Sequence, residues 1–159
     1  MRDLKTFPGG ANGSEKSRIS VVCAVMDRGE MLAKVLPTWL AHDRVAEVIV
    51  VDWSSMEPVS PLLAQFADDR IKVLRIEDKT QWHLAAAFNS ALPHVQTEQI
   101  LKLDADYLLA PRFFESNILH SHEFITGDWR LASPRESGLN GLIWAWTQDI
   151  ARVGGWDER

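Results

Sequence analysis

Short apolar runs recur along the chain, and segments with helical spacing of apolar residues separate them. Five runs predict β-strands at residues 19–25, 45–51, 71–76, 100–103 and 142–146. Near-continuous apolar runs of this length are typical of strands buried on both faces of a parallel sheet. The intervening segments predict helices at residues 30–41, 61–67, 84–92 and 111–119. This alternation predicts an α/β fold with a mostly parallel, Rossmann-like sheet and helices on both faces.

Several local signals refine this picture. Pro37 lies inside the first predicted helix and is expected to kink or split it, because proline removes a helical hydrogen bond. Thr147 is expected to cap a helical turn at residues 148–152. Residues 120–140 contain several chain breakers and are predicted to be irregular. Residues 1–17 are polar and glycine-rich, which predicts a disordered or loosely docked arm before one domain at residues 18–159.

Composition excludes some classes of protein. A net charge of −5 and a pI of about 5.5 argue against a nucleic-acid partner. No apolar stretch approaches the roughly 20 residues that span a bilayer, and the polar N-terminus lacks a signal-peptide core. The single cysteine, Cys23, lies in an apolar run, so we expect a core residue rather than a nucleophile. A lone cysteine fits a reducing compartment, and the expected location is cytoplasmic.

Acidic residues follow three of the predicted strands. Asp27, Asp52 and the pair Asp104 and Asp106 each come just after a predicted strand end. In open α/β sheets, ligands bind in the crevice outside the carboxyl ends of the strands. Four acids gathered at that edge predict a crevice for a ligand and a metal ion.

The Asp104-Ala-Asp106 pair is the strongest chemical signal in the chain. Residues two apart in an extended segment point to the same side. Mg²⁺ and Mn²⁺ prefer carboxylate oxygens, so the pair predicts a site for a divalent cation. Without a cation the two charges are expected to repel, so that one carboxyl holds its proton more tightly. From this short motif alone, a solvated loop with two chance acids remains an equal alternative.

Five motifs in order carry a resemblance to a known family. They are the strand ending near Asp27, then Val-Ile-Val-Val-Asp52, Leu84-Ala-Ala-Ala-Phe-Asn89, Leu101-Lys-Leu-Asp-Ala-Asp106 and Gly154-Gly-Trp-Asp-Glu158. Over about residues 19–159 the chain resembles a glycosyltransferase family 2 domain with the GT-A fold. Its ending resembles the related galactosyltransferase-type segment. The resemblance implies a transferase that uses a nucleotide-diphospho-sugar.

The resemblance also implies a role for individual residues at the donor site. Asp52 would accept a hydrogen bond from the nucleotide base, and Val25 and Asp27 would line the base and ribose. Asn89 would help to hold the donor pocket. Asp104 and Asp106 would bind the ribose and an Mn²⁺ or Mg²⁺ ion that bridges the donor diphosphate.

The implied reaction moves a sugar from the donor, a UDP-sugar in many members, to an unknown acceptor with inversion. A metal ion would neutralise charge on the leaving phosphate, and a general base would activate the acceptor hydroxyl. The family's base lies in an acidic motif that would follow residue 159. Asp157 and Glu158, beside Trp156 on the acceptor side, are the candidates within the chain. We therefore expect a chain truncated at its C-terminus, either an enzyme fragment or, alternatively, a non-catalytic module that binds nucleotide-sugars.

Other features depart from the family or leave alternatives open. Trp53 replaces the acid that usually follows Asp52, and Phe88 replaces an arginine before Asn89. His83 has either a phosphate contact or a structural role. Trp144 and Trp146 share one face of a strand, which favours core packing over a sugar platform. For His120 and His122, surface positions are favoured over a metal pair.

Overall fold

The computed structural model describes residues 17–128, 130 and 141–159. Residues 1–16 of the predicted N-terminal arm lie outside the described residues. The same is true of residues 129 and 131–140 in the segment predicted to be irregular.

The described residues form a six-stranded sheet with the strand order β3-β2-β1-β4-β6-β5. The strands are β1 Ile19–Val25, β2 Val45–Trp53, β3 Ile71–Ile76, β4 Gln99–Lys102, β5 Phe124–Thr126 and β6 Ile143–Trp146. β1 to β4 pair in parallel, whereas β6 pairs antiparallel with both β4 and β5. The helices are α1 Gly29–Leu40, α2 Val59–Ala64, α3 Leu84–Ala91, α4 Phe113–Ser116 and α5 Thr147–Arg152, with a short 3₁₀ turn at Leu92–His94.

A hydrophobic core lies on each face of the sheet. Apolar side chains of α1, α2 and α4 pack on one face, together with the buried Trp39 and Trp144. Ala87, Phe88 and Ala91 of α3 pack on the other face. Helices therefore cover both faces, as the alternating pattern predicted. The parallel strands bring the ends of β1 and β4 side by side, which positions the site described below.

Pro37 does not split the first helix, which was one of the two predicted outcomes. α1 runs without interruption from Gly29 to Leu40 and contains Pro37 on its exposed side. The neighbouring Leu36 and Trp39 are completely buried and hold the helix on the sheet. Burial of two large side chains, worth about 1.5–3 kcal/mol each, is enough to offset the lost hydrogen bond.

Several other bounds differ from the prediction; α4, for example, is limited to Phe113–Ser116 of the predicted 111–119, and three further differences have a visible structural reason. β2 continues through Asp52 to Trp53, because β3 pairs with it over this length. β5 forms at residues predicted to be irregular, and its exposed side chains give no apolar run. Thr147 is the first residue of α5 rather than its cap, and its hydroxyl donates to the carbonyl of Thr97 at 2.9 Å.

The predicted core residues are confirmed. Trp144 and Trp146 are 1% and 7% exposed, so both rings pack inside rather than forming a sugar platform. Cys23 is completely buried, and burial, reinforced by the negative charge of Asp104, raises the pKa of its thiol. No helix among the described residues has the length and apolar character needed to cross a membrane.

Candidate functional site

A cavity of about 500 Å³ opens at the carboxyl ends of β1 and β4. These strands are neighbours in the sheet, so the loops that follow them face each other. The structure thus brings together four residues predicted for the site, Val25, Asp27, Asp104 and Asp106. The full lining comprises Ala24, Val25, Met26, Asp27, Arg28, Trp82, Leu84, Asp104, Ala105 and Asp106.

Asp104 is paired with a buried lysine. Lys102 Nζ lies 2.6 Å from Asp104 Oδ1 and also donates to the carbonyl of Gly141 at 2.8 Å. The same ammonium lies 5.1 Å from the ring centroid of Phe88 in α3. Lys102 is almost completely buried, whereas the side chain of Asp104 is 41% exposed. Asp104 therefore has a cationic partner within the protein before any ligand arrives.

Asp106 presents the more accessible carboxylate of the pair. Its side chain is 56% exposed, and Arg28 Nη1 lies 4.0 Å from its Oδ2. The predicted repulsion between the two acids is thus countered by Lys102 on one and by Arg28 on the other. The segment that follows is fixed to α1, since Trp39 Nε1 donates to the carbonyl of Tyr107 at 2.8 Å. A metal or phosphate group would meet Asp106 on a well-anchored loop.

The donor set fits a cation whose coordination a ligand completes. Among the described residues, no group of three or more histidine, cysteine or acidic side chains could hold a metal ion by itself. Mg²⁺ is usually held by one or two carboxylates, with phosphate oxygens and water filling the remaining positions. Asp106, with Asp104 beside it, supplies that number of carboxylates.

Asp27 connects two loops at the rim of the cavity. Its Oδ1 accepts a hydrogen bond of 2.7 Å from the amide of Met56, and its own amide donates to Ser55 Oγ at 3.0 Å. Its backbone has a φ of 58°, a left-handed conformation that aspartate tolerates better than most residues. Asp27 therefore shapes the rim of the cavity while its carboxylate remains exposed.

Asp52 does not follow the second strand into the crevice, which corrects its predicted placement. It lies within β2, is completely buried, and pairs with Arg75 of β3 at 2.7 Å. Its carboxylate also accepts the amides of Ser55 at 3.1 Å and Val59 at 3.0 Å. Burial alone would raise the pKa of Asp52, but these hydrogen bonds outweigh it and hold the pKa below its usual value. The carboxylate organises the turn into α2 and is not free for a base.

Trp53 fixes the loop that enters α3. The indole is 5% exposed, and its Nε1 donates to the carbonyl of Gln81 at 2.9 Å. The next residue contributes as well, because Ser54 Oγ accepts the amide of Lys79 at 2.8 Å. At the end of this loop, His83 Nδ1 accepts the amide of Ala86 and caps α3, which supports the structural alternative for His83.

Asn89 joins two of the sequence motifs. Its side-chain amide donates to the carbonyl of Trp156 at 2.8 Å and to Glu158 Oε1 at 2.7 Å, and its Oδ1 accepts the amide of Trp156 at 2.8 Å. The Trp156 ring lies 5.4 Å from Phe88, between ring centroids. The structure thus places Asn89 against residues 154–158 rather than in the cavity lining.

Gly155 makes this contact possible, and its replacement by alanine should break it. Gly155 has a φ of 87°, and an added Cβ would overlap Asn89 Oδ1. We expect Gly155→Ala to speed amide hydrogen exchange at residues 154–158. Gly154→Ala is the matched control, since Gly154 has a φ of 84° but open space around its Cβ position. Equal exchange in the two variants would contradict a specific role for the Asn89 contact, because each carries a left-handed strain of about 1–2 kcal/mol.

The two acids predicted as bases are already engaged. Asp157 accepts three hydrogen bonds from Arg159, two from the guanidinium and one from the backbone amide. These bonds hold the pKa of Asp157 below its usual value, which makes it a weaker base near neutral pH. Glu158 is bonded to Asn89. Neither residue lines the cavity that holds Asp104 and Asp106.

Three lining or supporting residues were not among the predicted site residues, namely Lys102, Arg28 and Trp82. Lys102 could have been noticed, because a lysine two positions before Asp104 in an apolar strand must point to the same side as that acid. Arg28 directly follows Asp27 and could have been predicted with it, whereas the path of the loop that carries Trp82 depends on contacts with distant residues such as Trp53. His120 and His122 are exposed, as favoured above.

The fold defines a class of protein. The chain superposes on a mannosyltransferase from Pyrobaculum calidifontis in complex with GDP-Man and Mn²⁺, with a TM-score of 0.72 and 17% identity over 97% of this chain and 51% of that one. It also superposes on Staphylococcus aureus TarS 1–349 in complex with UDP-GlcNAc, with a TM-score of 0.65 and 16% identity over 87% and 48% of the two chains. At these identities the likeness establishes the GT-A fold alone.

Sequence comparison identifies the family. Residues 20–126 match the family model of glycosyl transferase family 2, and the chain belongs to that family. It is 29% identical over 132 residues to the putative glycosyltransferase EpsE of Bacillus subtilis. The aligned region covers 78% of this chain and 46% of that protein. The chain spans about half the length of these relatives.

Proposed function

We propose that this domain binds a nucleotide-diphospho-sugar with Mn²⁺ or Mg²⁺ and takes part in transfer of the sugar to an acceptor. The observation that carries the proposal is the cavity at the ends of β1 and β4, where the exposed carboxylate of Asp106 lies beside Arg28 and Asp104. Membership of glycosyl transferase family 2 supports the reaction class. The GDP-Man and Mn²⁺ bound to the mannosyltransferase of the same fold support the ligand class.

The proposed roles follow the charges in the cavity. Asp106 would hold the metal ion through its exposed oxygens, and Arg28 would face the negatively charged diphosphate. Asp104, held by Lys102, is within reach of ribose hydroxyls or of the metal ion. Val25 and Asp27 form the wall after β1. Because the carboxylate of Asp52 is occupied, Asp52 acts on the site only through the loop that it holds in place.

The proposed chemistry is a single displacement with inversion. The acceptor oxygen forms a bond to the anomeric carbon, the bond from that carbon to the diphosphate oxygen breaks, and the acceptor proton passes to a general base. A bound divalent ion supplies charge neutralisation at the leaving diphosphate. Arg28 adds positive charge on the same side. Of the two predicted bases, Glu158 is the better candidate, because it accepts one hydrogen bond from Asn89, whereas Asp157 accepts three from Arg159.

A binding module without catalysis is the second candidate. The engagement of both Asp157 and Glu158 by neighbouring side chains favours it. The family match covers residues 20–126 and therefore does not include residues 154–158. For both candidates we propose that these residues, the galactosyltransferase-type ending, lie on the acceptor side. Product formation from a nucleotide-sugar separates the two candidates.

Calorimetric titration tests the shared part of the proposal. We expect UDP or GDP to bind the wild-type chain with Mn²⁺ present and at least about tenfold more weakly without it, which corresponds to 1.4 kcal/mol. Asp106→Ala should remove the metal-dependent part, because it deletes the more exposed carboxylate of the Asp104 and Asp106 pair. Asp69→Ala, at an exposed acid in the turn before β3, is the control and should bind like the wild type. Absence of binding to either nucleotide would contradict the proposal.

A further inference from the structure

The loop between β3 and α3 places a large apolar side chain in the charged cavity. Trp82 is 43% exposed, although an indole is usually buried when no ligand or partner covers it. It lines the same cavity as Asp104 and Asp106. Leu84, the first residue of α3, lies on the same lining and is 44% exposed. Apolar side chains and charged side chains thus line the same cavity. This combination fits a ligand that has both an apolar surface and a charged group.

The structure holds Trp82 in place from both sides. Before it, Trp53 Nε1 donates to the carbonyl of Gln81, the residue adjacent to Trp82. After it, His83 caps α3 through the amide of Ala86. The backbone on each side of Trp82 is therefore anchored by a hydrogen bond. Less backbone freedom is therefore left to lose when a ligand binds beside Trp82.

The lining divides into a charged part and an apolar part. The charged part comprises Asp27, Arg28, Asp104 and Asp106, and the apolar part comprises Ala24, Val25, Met26, Trp82, Leu84 and Ala105. A sugar ring carries hydroxyl groups around its edge and would leave many of them without side-chain partners against the apolar part. A nucleobase has two apolar faces and only its edge requires hydrogen bonds, so its shape and polarity match the apolar part better.

We propose that Trp82 is the stacking platform for the base of the bound nucleotide; this inference rests on the donor-binding function proposed above. The diphosphate lies toward Arg28 and Asp106, and the base lies against the indole. Stacking on an aromatic side chain is available to every base, because each has a π-face. Trp82 therefore contributes affinity for the nucleoside part of the donor and none for the diphosphate.

Comparing two ligands isolates the contribution of the base. UDP and inorganic pyrophosphate are titrated, each with Mg²⁺, into the wild type, Trp82→Ala and Trp82→Phe. We expect Trp82→Ala to weaken UDP binding by about tenfold, within the 5- to 150-fold range of a single stacked base, and to leave pyrophosphate binding unchanged. Trp82→Phe retains a ring and should recover most of the UDP affinity. Because Trp82 is half exposed, both variants should keep the unfolding midpoint of the wild type.

The control is Phe124→Ala, which removes an aromatic ring that is 67% exposed and lies on β5, away from the cavity lining. If Trp82→Ala binds UDP as tightly as the wild type does, the stacking role is overturned while the proposed donor binding still holds. Equal loss of UDP and pyrophosphate would also overturn it, since the effect would then lie in the diphosphate site. A loss seen with UDP-glucose but not with UDP would assign Trp82 to the sugar instead. Failure of the wild type to bind either ligand would overturn the proposed function itself.

Discussion

Replacing Asp52 by alanine is expected to lower the free energy of unfolding by about 3 kcal/mol, near the lower end of the range for breaking a buried ion pair. The carboxylate is completely buried and accepts hydrogen bonds from Arg75, Ser55 and Val59. Alanine would leave both backbone amides without this acceptor and Arg75 without its charge partner. The estimate is at the lower end because the side chain of Arg75 is 28% exposed and can recover some hydration.

Urea unfolding followed by circular dichroism at neutral pH measures this loss. The matched control is Glu115→Ala, which removes the acid of an exposed pair with Arg112. That pair should contribute at most about 0.5 kcal/mol, as is usual for exposed helix pairs. A loss below about 1 kcal/mol for Asp52→Ala would place this pair among ordinary surface ion pairs and contradict its structural role.

The pH dependence of the same measurement gives a second readout. The pKa of Asp52 is lower in the folded chain than its usual value, so the unfolded chain binds more protons in acid. Its contribution is therefore complete above the unfolded value of about 3.9 and is lost as the pH falls through the lower folded pKa. The difference in stability between wild type and Asp52→Asn should shrink over this acid range. A difference that stays constant would show that the carboxylate charge is not responsible.

Replacing Lys102 by methionine is expected to lower the free energy of unfolding by about 2 kcal/mol. Methionine keeps most of the volume of the stem but leaves the carbonyl of Gly141 without this donor, at a cost of about 1–3 kcal/mol. It also removes the cation that lies over Phe88, an interaction worth about 0.5–2 kcal/mol. The exposed Lys34→Met, on the solvent side of α1, is the control and should change stability little.

The same variant should alter the affinity of the site for bare Mn²⁺. In the wild type, Lys102 neutralises Asp104 at 2.6 Å, so a metal ion competes with an internal cation. Without the ammonium, Asp104 loses its cationic partner and only Arg28, 4.0 Å from Asp106, offsets the charge of the pair, so we expect Mn²⁺ alone to bind several-fold more tightly. Electron paramagnetic resonance of free Mn²⁺ measures this directly. Weaker binding would mean that Lys102 mainly holds Asp104 in its binding geometry.

Much of the fold could be predicted because its signals are local. The first three strands and the two helices α1 and α3 coincide closely with runs and spacings visible in the sequence. The short β5 was missed because it is an edge strand of three residues, too short to show a pattern, and only Ile125 among them is partly buried. At Pro37 a local signal was present but did not decide the structure. Burial of the neighbouring Leu36 and Trp39 outweighs the unfavourable effect of a proline inside the helix.

For the candidate site, the positions of some residues were predicted correctly and those of others were not. Asp104 and Asp106 lie where the strand pattern placed them, and Val25 and Asp27 join them because parallel strands end at one edge. Asp52 was misplaced, because its partner Arg75 lies 23 residues away and draws the carboxylate inward. The contact between Asn89 and Trp156 spans 67 residues, a separation at which no sequence spacing indicates proximity.

The sequence by itself determined the α/β class, the parallel orientation of its first strands and the acidic pair at the end of β4. These properties depend on the periodicity of neighbouring residues and on the edge at which parallel strands end. Only the tertiary structure decided the state of each acid: Asp52 buried with Arg75, Asp104 paired with Lys102, and Asp106 open to the cavity. The charge and availability of a carboxylate depend on which groups fold against it, and those groups come from distant parts of the chain.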